Sequence, residues 1–305
     1  MTRLLVVPAT VPAEQRERFL ANLEQATFGT GKLFLFAGDQ KVEHLNQDFF
    51  GAGISPESQN PEHLFKIAAQ SRVGVFATQL GLVARYGLQY KNTRYLIKIN
   101  AKTNIIPLGD RDPVAAQWTT VDQVAAFRQQ SGLGIVGVGM TVYLGSTSEA
   151  SMLAQAAQMV LQAHQYGMLA VVWIYPRGKA VAHERSIDMI AGATGVAVCL
   201  GADFVKVNPP EMRVGQSAAL LLQRAVAAAG NTGVICSGGS KRDARAFLEE
   251  LHAAVTVGGC AGAAIGRNIH QRSFPEAVAF CAAVAAIILD GSDVATACAK
   301  LDIKD

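Results

Sequence analysis

The sequence predicts an α/β fold, a (β/α)8 or TIM barrel built as a single domain. Eight short runs rich in β-branched and aromatic residues recur along the chain, and helical patterns separate most of them. Such alternation is typical of a parallel sheet covered by helices, and eight repeats favour closure into a barrel over an open sheet. The length of 305 residues suits one barrel domain.

The elements are expected in a simple order. An amphipathic helix at residues 13–26 belongs to an N-terminal extension over residues 1–32, and the barrel occupies residues 33–305. Strands are predicted at 33–37, 73–78, 95–99, 135–142, 169–175, 204–207, 234–236 and 263–265. Intervening helices are clearest at 149–166, 185–200, 218–229 and 241–254.

Composition excludes several classes of protein. Hydrophobic residues make up 50% of the chain and charged residues 17%, which indicates a large core and argues against disorder. The net charge is +3 without a long basic run, so we expect no nucleic-acid partner. Five cysteines without a CxxC pair argue against a disulfide framework. No secretory signal or membrane-length apolar run is visible, so we expect a cytoplasmic protein without a membrane partner.

The alternation of residues along three strands indicates which side chains point into the barrel. In the third and sixth strands, aliphatic residues alternate with Lys98 and Lys206, and in the fifth they alternate with Trp173 and Tyr175. The aliphatic faces should meet the helices, which leaves these four side chains pointing into the barrel. Because strands buried on both faces are normally apolar, charged residues there need a reason, and a catalytic centre is one.

Lys206 is the main candidate for catalysis. A Schiff-base lysine must be a neutral amine, and desolvation or a second cation can lower a lysine pKa from about 10.4 to roughly 7–8. Phe204 and Val205 provide apolar surroundings, and an inward Lys98 would be the second cation. The alternative is a lysine that extends to solvent or forms a structural ion pair.

Three further residues follow strands at the expected catalytic end. Tyr175 can transfer a proton, although it and Trp173 are also typical of a pocket wall. Arg177 lies in a Pro-Arg-Gly turn where it could bind an anion. Asp39 ends the first strand and is a candidate acid or base, or a group that orients the lysine, with helix capping as the alternative.

Two glycine-bearing loops indicate a phosphate site. Ser237, Gly238 and Gly239 follow the seventh strand, and Gly266 and Arg267 follow the eighth. Glycine lets backbone N–H groups approach phosphate oxygens, and the loops after strands seven and eight of such barrels commonly bind phosphate. Either motif alone could be an ordinary turn.

Nothing in the sequence indicates a metal or a nucleotide cofactor. Gly132, Gly134 and Gly137 match the GxGxxG pattern, but they lead into a strand, whereas a dinucleotide fingerprint must follow one. HExxH, paired CxxC and Walker motifs are absent from the sequence. We therefore expect no cofactor and no metal.

Taken together, these motifs resemble those of the archaeal-type class I fructose-1,6-bisphosphate aldolases, within the wider group that includes deoxyribose-phosphate aldolase. The similarity covers roughly residues 33–272. It depends most on 173–178 (WIYPRG), 202–206, 237–239 and 266–268, with 97–103 and 141–146 also similar.

The resemblance implies a Schiff base on Lys206, proton transfer by Tyr175 and a strand-one carboxylate at Asp39. It further implies a metal-independent lyase of glycolysis and gluconeogenesis, a homo-oligomer that interconverts fructose 1,6-bisphosphate with dihydroxyacetone phosphate and glyceraldehyde 3-phosphate. One phosphate would bind the glycine loops and Arg267. Candidates for the second phosphate are Arg177, Lys102 and Ser146.

The chain departs from the family pattern after the first strand. Family members usually carry Asp-His-Gly there, whereas this chain has Asp39-Gln40-Lys41. Because that loop borders the substrate, a related Schiff-base lyase or transferase acting on another keto sugar phosphate stays open. So do two further hypotheses, a non-catalytic phosphate-binding barrel and an isomerase barrel that uses a carboxylate base.

Overall fold

A computed structural model describes residues 6–44, 48–105, 112–212 and 214–301, and within them eight parallel strands close into the predicted barrel. The strands are β1 (Leu33–Ala37), β2 (Val75–Thr78), β3 (Tyr95–Lys98), β4 (Ile135–Leu144), β5 (Leu169–Pro176), β6 (Phe204–Val207), β7 (Gly233–Ser237) and β8 (Gly262–Ile265). Consecutive strands pair in parallel, and β8 pairs with β1 to complete the barrel. The (β/α)8 prediction is confirmed.

Helices surround the barrel, and short or terminal ones lie at its two ends. They are α1 (Arg16–Thr27), α2 (Gln40–Glu43), α3 (Glu62–Gln70), α4 (Leu80–Tyr86), α5 (Val121–Ser131), α6 (Glu149–Gln165), α7 (Ile187–Cys199), α8 (Ala218–Ala228), α9 (Ala244–Thr256), α10 (Arg267–His270), α11 (Phe274–Ile288) and α12 (Val294–Cys298). Short 3-10 turns lie at Ala13–Gln15, Pro56–Gln59 and Gly87–Gln89. Among the described residues, no helix is both long and apolar enough to cross a membrane.

The long covering helices lie where the sequence placed them, with small shifts that side-chain caps explain. Helix α9 begins three residues after the predicted start because the Asp243 side chain accepts a hydrogen bond from the N–H of Ala246. Helix α7 begins after Ser186, whose side chain accepts from the N–H of Met189. These caps bind backbone groups that the first helical turn leaves unpaired.

The predicted alternation of faces is confirmed. Val205 and Val207 belong to the apolar layer between strands and helices, whereas Phe204 packs inside the barrel. Lys98 and Lys206 lie on the inward faces and are buried. Both lysines therefore point toward the barrel axis near the carboxyl ends of their strands.

Helix α1 closes the amino-terminal end of the barrel. Its Asn22 side chain donates a 2.6 Å hydrogen bond to the carbonyl of Gly167, just before β5. Phe19 packs edge-on against His164 with ring centroids 5.7 Å apart. Gly74, just before β2, lies so close to the carbonyl of Ala26 that a side chain would overlap it. The helix thus blocks this end, and the carboxyl end is left for a binding site.

One element was not predicted. Strand β3 ends at Lys98, and Asn100–Ala101 pairs antiparallel with Ala116–Gln117 as a separate ribbon. The Asn100 side chain accepts from the N–H of Thr141 at 2.7 Å and donates to its carbonyl at 2.8 Å. Because the side chain satisfies the backbone groups of β4 here, the chain can leave the barrel without exposing buried polar atoms.

Candidate active site

A cleft opens at the carboxyl ends of the barrel strands. All predicted site residues except Lys98 and Ser146 line it, and Lys98 is buried against lining residues of the cleft. Ser146, a candidate for the second phosphate site, lies elsewhere, because it is buried and its hydroxyl donates to the carbonyl of Pro113 at 2.8 Å. The structure therefore brings together side chains from strands that are far apart in sequence.

Lys206 lies at the centre of the cleft, with 3% of its surface exposed. Its Nζ is 5.6 Å from the centre of the Trp173 ring, and within the described part of the chain no residue accepts a hydrogen bond from it. Burial lowers the pKa of Lys206, Asp39 opposes this effect, and the positive charge of Lys98 adds to it. The amine is thus held toward the neutral form, so an ion-paired or solvent-directed lysine does not describe this residue.

Lys98 is the lysine that forms ion pairs. Its Nζ lies 3.3 Å from Oδ2 of Asp39 and 3.7 Å from Oε1 of Glu43. It also lies 4.9 Å from the centre of the Trp173 ring, the same ring that Lys206 contacts. The two lysines therefore share one aromatic neighbour, and of the two only Lys98 has carboxylates within ion-pair distance among the described residues.

Asp39 is not a helix cap. It precedes α2, but its side chain forms no capping hydrogen bond. Instead Oδ2 pairs with Lys98, while Oδ1 is buried and has no hydrogen-bond partner in the described residues. The backbone carbonyl accepts a 2.9 Å hydrogen bond from Gln79, which fixes the turn. One carboxylate oxygen is thus available to a bound substrate.

Tyr175 lies half-buried at the end of β5, and its ring is 6.2 Å from that of Tyr143. Burial raises the pKa of Tyr175 well above its ordinary value, and the negative charges of Asp39 and Glu43 raise it further. The phenol is therefore protonated near neutral pH, which is the form that a proton donor requires.

The loop after β7 has a defined geometry. The Ser237 hydroxyl donates to Oδ1 of Asn208 at 2.7 Å. The N–H of Gly238 donates to the carbonyl of Ala264 at 3.0 Å, so the sheet already uses that amide. Gly239 adopts a left-handed conformation at φ 66°, which glycine tolerates without strain. The N–H of Gly238 is therefore not free to bind a phosphate, and a Cβ atom at this position would lie 3.2 Å from the Ile265 side chain.

The loop after β8 supplies a cation. Arg267 donates from Nε to the carbonyl of Gly239 at 3.2 Å, and its Nη1 lies 3.6 Å from Oδ1 of Asp48. At Gly266, a Cβ atom would overlap Oε1 of Gln40 and lie 2.7 Å from the carbonyl of Ala37. Only glycine fits there, and the guanidinium is oriented toward the cleft.

The opposite rim carries Lys102 and Arg177, each already engaged. Nζ of Lys102 donates to Oδ1 of Asn104 at 2.6 Å, and burial lowers the pKa of this lysine. Nε of Arg177 lies 3.0 Å from Oε1 of Glu184. This rim is therefore less positive than its two basic residues suggest.

Several residues that were not predicted as site residues also line the cleft: Gln40, Glu43, His44, Asn104, Tyr143 and Asn208. Glu43 could have been found, because it follows Asp39 by four residues and thus lies on the same face of a helical turn. No sequence pattern places Asn208 beside Ser237, since that contact depends on the pairing of β6 with β7.

No group of histidine, cysteine, aspartate or glutamate side chains in the described ranges could hold a metal ion. The GxGxxG match has a structural origin. Gly132 ends α5 in a left-handed conformation at φ 67°, and Gly137 lies in β4 against Leu169. These glycines serve a helix end and a strand contact.

Comparison with known proteins identifies the family. The family model described as DeoC/LacD family aldolase matches residues 33–272 of this chain. This chain belongs to the DeoC/LacD family of aldolases. The aldolase and lyase class expected from the sequence motifs is therefore confirmed.

Individual relatives within the family carry the name fructose-bisphosphate aldolase. This chain is 46% identical over 288 residues to a protein of Methanocaldococcus jannaschii named fructose-bisphosphate aldolase/6-deoxy-5-ketofructose 1-phosphate synthase, a match that covers 94% of this chain and 91% of that one. A solved fructose-bisphosphate aldolase from Slackia heliotrinireducens superposes with a TM-score of 0.95 at 50% identity, over 100% of this chain and 97% of that one. A structure of the Schiff base forming fructose-1,6-bisphosphate aldolase, studied through its reaction intermediates, superposes at 0.74 with 28% identity, over 88% and 99%.

Proposed function

We propose that this aldolase interconverts fructose 1,6-bisphosphate with dihydroxyacetone phosphate and glyceraldehyde 3-phosphate through a Schiff base on Lys206. The observation that carries the proposal is a buried lysine, with a lowered pKa and no ion pair in the described residues, at the centre of a cleft. Relatives named for this substrate support the choice of sugar.

In the proposed mechanism, the neutral Lys206 amine attacks the substrate ketone, and loss of water gives an iminium ion. When a base removes the C4 hydroxyl proton, the electrons of the C3–C4 bond move into the iminium. Glyceraldehyde 3-phosphate leaves and an enamine remains. Protonation of the enamine carbon restores the iminium, and water then releases dihydroxyacetone phosphate and the free lysine.

We assign the proton transfers from the geometry of two side chains. Asp39 has one carboxylate oxygen without a hydrogen-bond partner in the described residues, so it can accept the C4 hydroxyl proton. Tyr175 keeps its proton near neutral pH and lines the same cleft as Lys206, so we assign the protonation of the enamine carbon to it. Lys98 holds Asp39 in place through their 3.3 Å contact.

Substrate orientation follows from the charge of the two rims. We assign the phosphate of the ketone half to the loops of Ser237 to Gly239 and of Gly266 and Arg267, because Arg267 offers a planar fork of N–H donors there. The aldehyde half then extends toward Lys102 and Arg177. Phosphate binding far from the reacting bond places the ketone next to Lys206.

Cleavage of fructose 1,6-bisphosphate, with glyceraldehyde 3-phosphate measured by a coupled dehydrogenase, tests this function. We expect turnover that EDTA leaves unchanged, because no step of the scheme passes through a metal. Activity that EDTA abolishes and a divalent ion restores would contradict the proposal.

A second candidate is a reaction on 6-deoxy-5-ketofructose 1-phosphate, because the Methanocaldococcus relative carries that name as well. The same Schiff base would serve both reactions, since each sugar offers a ketone and a phosphate. Parallel assays of the two sugars distinguish them by the ratio of kcat/KM.

We also propose that the aldolase is a homo-oligomer, as its family resemblance implies. Light scattering coupled to size exclusion gives the mass in solution, and a mass of 32.2 kDa, that of one chain, would contradict this. A cytoplasmic location stays a prediction.

A further inference from the structure

We propose that Glu43 sets substrate specificity by favouring a hydroxyl over a phosphate on the aldehyde half of the sugar. The inference rests on the proposed function, because it assumes that Lys206 holds the ketone. It concerns a residue that takes no part in the scheme above, and it predicts which substrates the cleft discriminates.

Glu43 is placed in the cleft by the short helix α2, which begins directly after Asp39. Its side chain lines the cleft and is 12% exposed. Oε1 is buried and has no hydrogen-bond partner in the described residues, although the Lys98 ammonium lies 3.7 Å away. A buried carboxylate oxygen without a donor carries an energetic cost, which a donor on the substrate can remove.

The carboxylate of Glu43 faces the rim where we place the aldehyde half. Lys98, its ionic neighbour, ends β3, and Lys102 follows β3 toward the same rim. The negative charge of Glu43 acts on Lys102, whose pKa it raises against the effect of burial, and on Tyr143 of β4. The phosphate loops follow β7 and β8 on the other side of Lys206.

The charges of this rim suit a hydroxyl. A carboxylate can only accept hydrogen bonds, and a hydroxyl can donate one, whereas a phosphate dianion also only accepts. A phosphate at this rim would therefore meet the negative charge of Glu43, and Glu184 already neutralises Arg177 from outside. Glu43 thus lowers the preference for a second phosphate without preventing its binding by Lys102 and Arg177.

The experiment compares fructose 1,6-bisphosphate with fructose 1-phosphate, which differ only in the phosphate on C6. We expect Glu43→Gln to raise the ratio of their kcat/KM values, bisphosphate over monophosphate, by at least about fivefold, since it removes a like charge near the second phosphate. Glu249→Gln is the matched control, because Glu249 is exposed on α9 and pairs with Arg245. The control should leave the ratio unchanged.

Two results would overturn the inference. An unchanged ratio would mean that Glu43 does not sense the second phosphate, and an unchanged ratio with an equal loss for both sugars would assign Glu43 to a shared step. A fall in the ratio would mean that Glu43 positions Lys102 and Arg177 to bind the second phosphate. Borohydride trapping of dihydroxyacetone phosphate on Glu43→Gln separates these results from failure of the proposed function, because absence of trapping in the wild type as well would refute the Schiff base itself.

Discussion

Nζ of Lys98 lies 3.3 Å from Oδ2 of Asp39, and both side chains are buried at the end of the barrel where the cleft opens. The pair places a fixed positive charge beside Lys206 without leaving that charge uncompensated. Its carboxylate opposes the lowering of the Lys206 pKa, and its ammonium contributes to it. Burial is the largest cause of the lowered Lys206 pKa, and the two partners of the pair adjust that pKa in opposite directions.

Removing the ammonium should shift the pH dependence of catalysis. In Lys98→Met, Asp39 acts on Lys206 without its partner, so the pKa of Lys206 rises and the amine is neutral only at higher pH. We expect the acidic limb of the kcat/KM profile to move upward by about one pH unit. Lys66→Met, at an exposed lysine paired with Glu62, should not move it. A limb that stays in place would mean that Lys98 does not tune Lys206.

The buried lysine should reduce stability. Because its pKa is lowered in the folded state, the unfolded chain binds more protons between that pKa and the ordinary value of 10.5. Lys206→Met should therefore raise the free energy of unfolding near neutral pH by about 1–3 kcal/mol. The gain should shrink as the pH approaches 10.5, and urea unfolding at several pH values measures it. A variant less stable than wild type at neutral pH would contradict this account.

Arg267 should matter for phosphorylated substrates only. One charge-assisted contact is worth about 1.5–3 kcal/mol, so Arg267→Ala should lower kcat/KM for fructose 1,6-bisphosphate by roughly 10- to 150-fold. Unphosphorylated fructose, which never makes the contact, should lose much less. Arg245→Ala, at an exposed arginine on α9, is the matched control. Equal losses for the two sugars would remove Arg267 from the phosphate site.

Gly266 tests the close packing of the loop after β8. In Gly266→Ala, the new methyl group would overlap Oε1 of Gln40 and press on the carbonyl of Ala37. Because backbone cannot retreat easily, we expect a loss of stability of about 1–3 kcal/mol together with weaker phosphate binding. Gly81→Ala is the control, since nothing lies within 4 Å of its added Cβ in α4. Thermal unfolding and phosphate titration should be measured for both variants. Equal stability and equal phosphate affinity of the two variants would contradict the close packing proposed at Gly266.

Eight apolar runs separated by helical patterns were enough to predict the barrel, and alternation with period two in β3, β5 and β6 assigned their inward faces. Lys98 and Lys206 were placed on inward faces because aliphatic neighbours fix their orientation in β3 and β6. The single domain with an N-terminal extension stays a prediction, while the contact of Asn22 with Gly167 shows how the extension meets the barrel.

Contacts between distant segments could not be predicted. From the sequence, the Asp39 side chain could be a helix cap or an active-site group. The absence of a capping hydrogen bond and the short distance to Lys98 identify it as a group of the site. Asp48, which follows α2, lies 3.6 Å from Arg267, which follows β8, although the two residues are far apart in sequence. Such pairings depend on closure of the sheet, which brings β8 beside β1, and no local pattern records them.

The proposed mechanism depends on a Schiff base at Lys206. Incubation with dihydroxyacetone phosphate and borohydride, followed by proteolysis and mass spectrometry, identifies the reduced lysine directly. We predict one adduct, on Lys206, that is lost in Lys206→Ala while circular dichroism shows the fold retained. A full yield of adduct on another lysine, or none in the active wild type, would contradict the account.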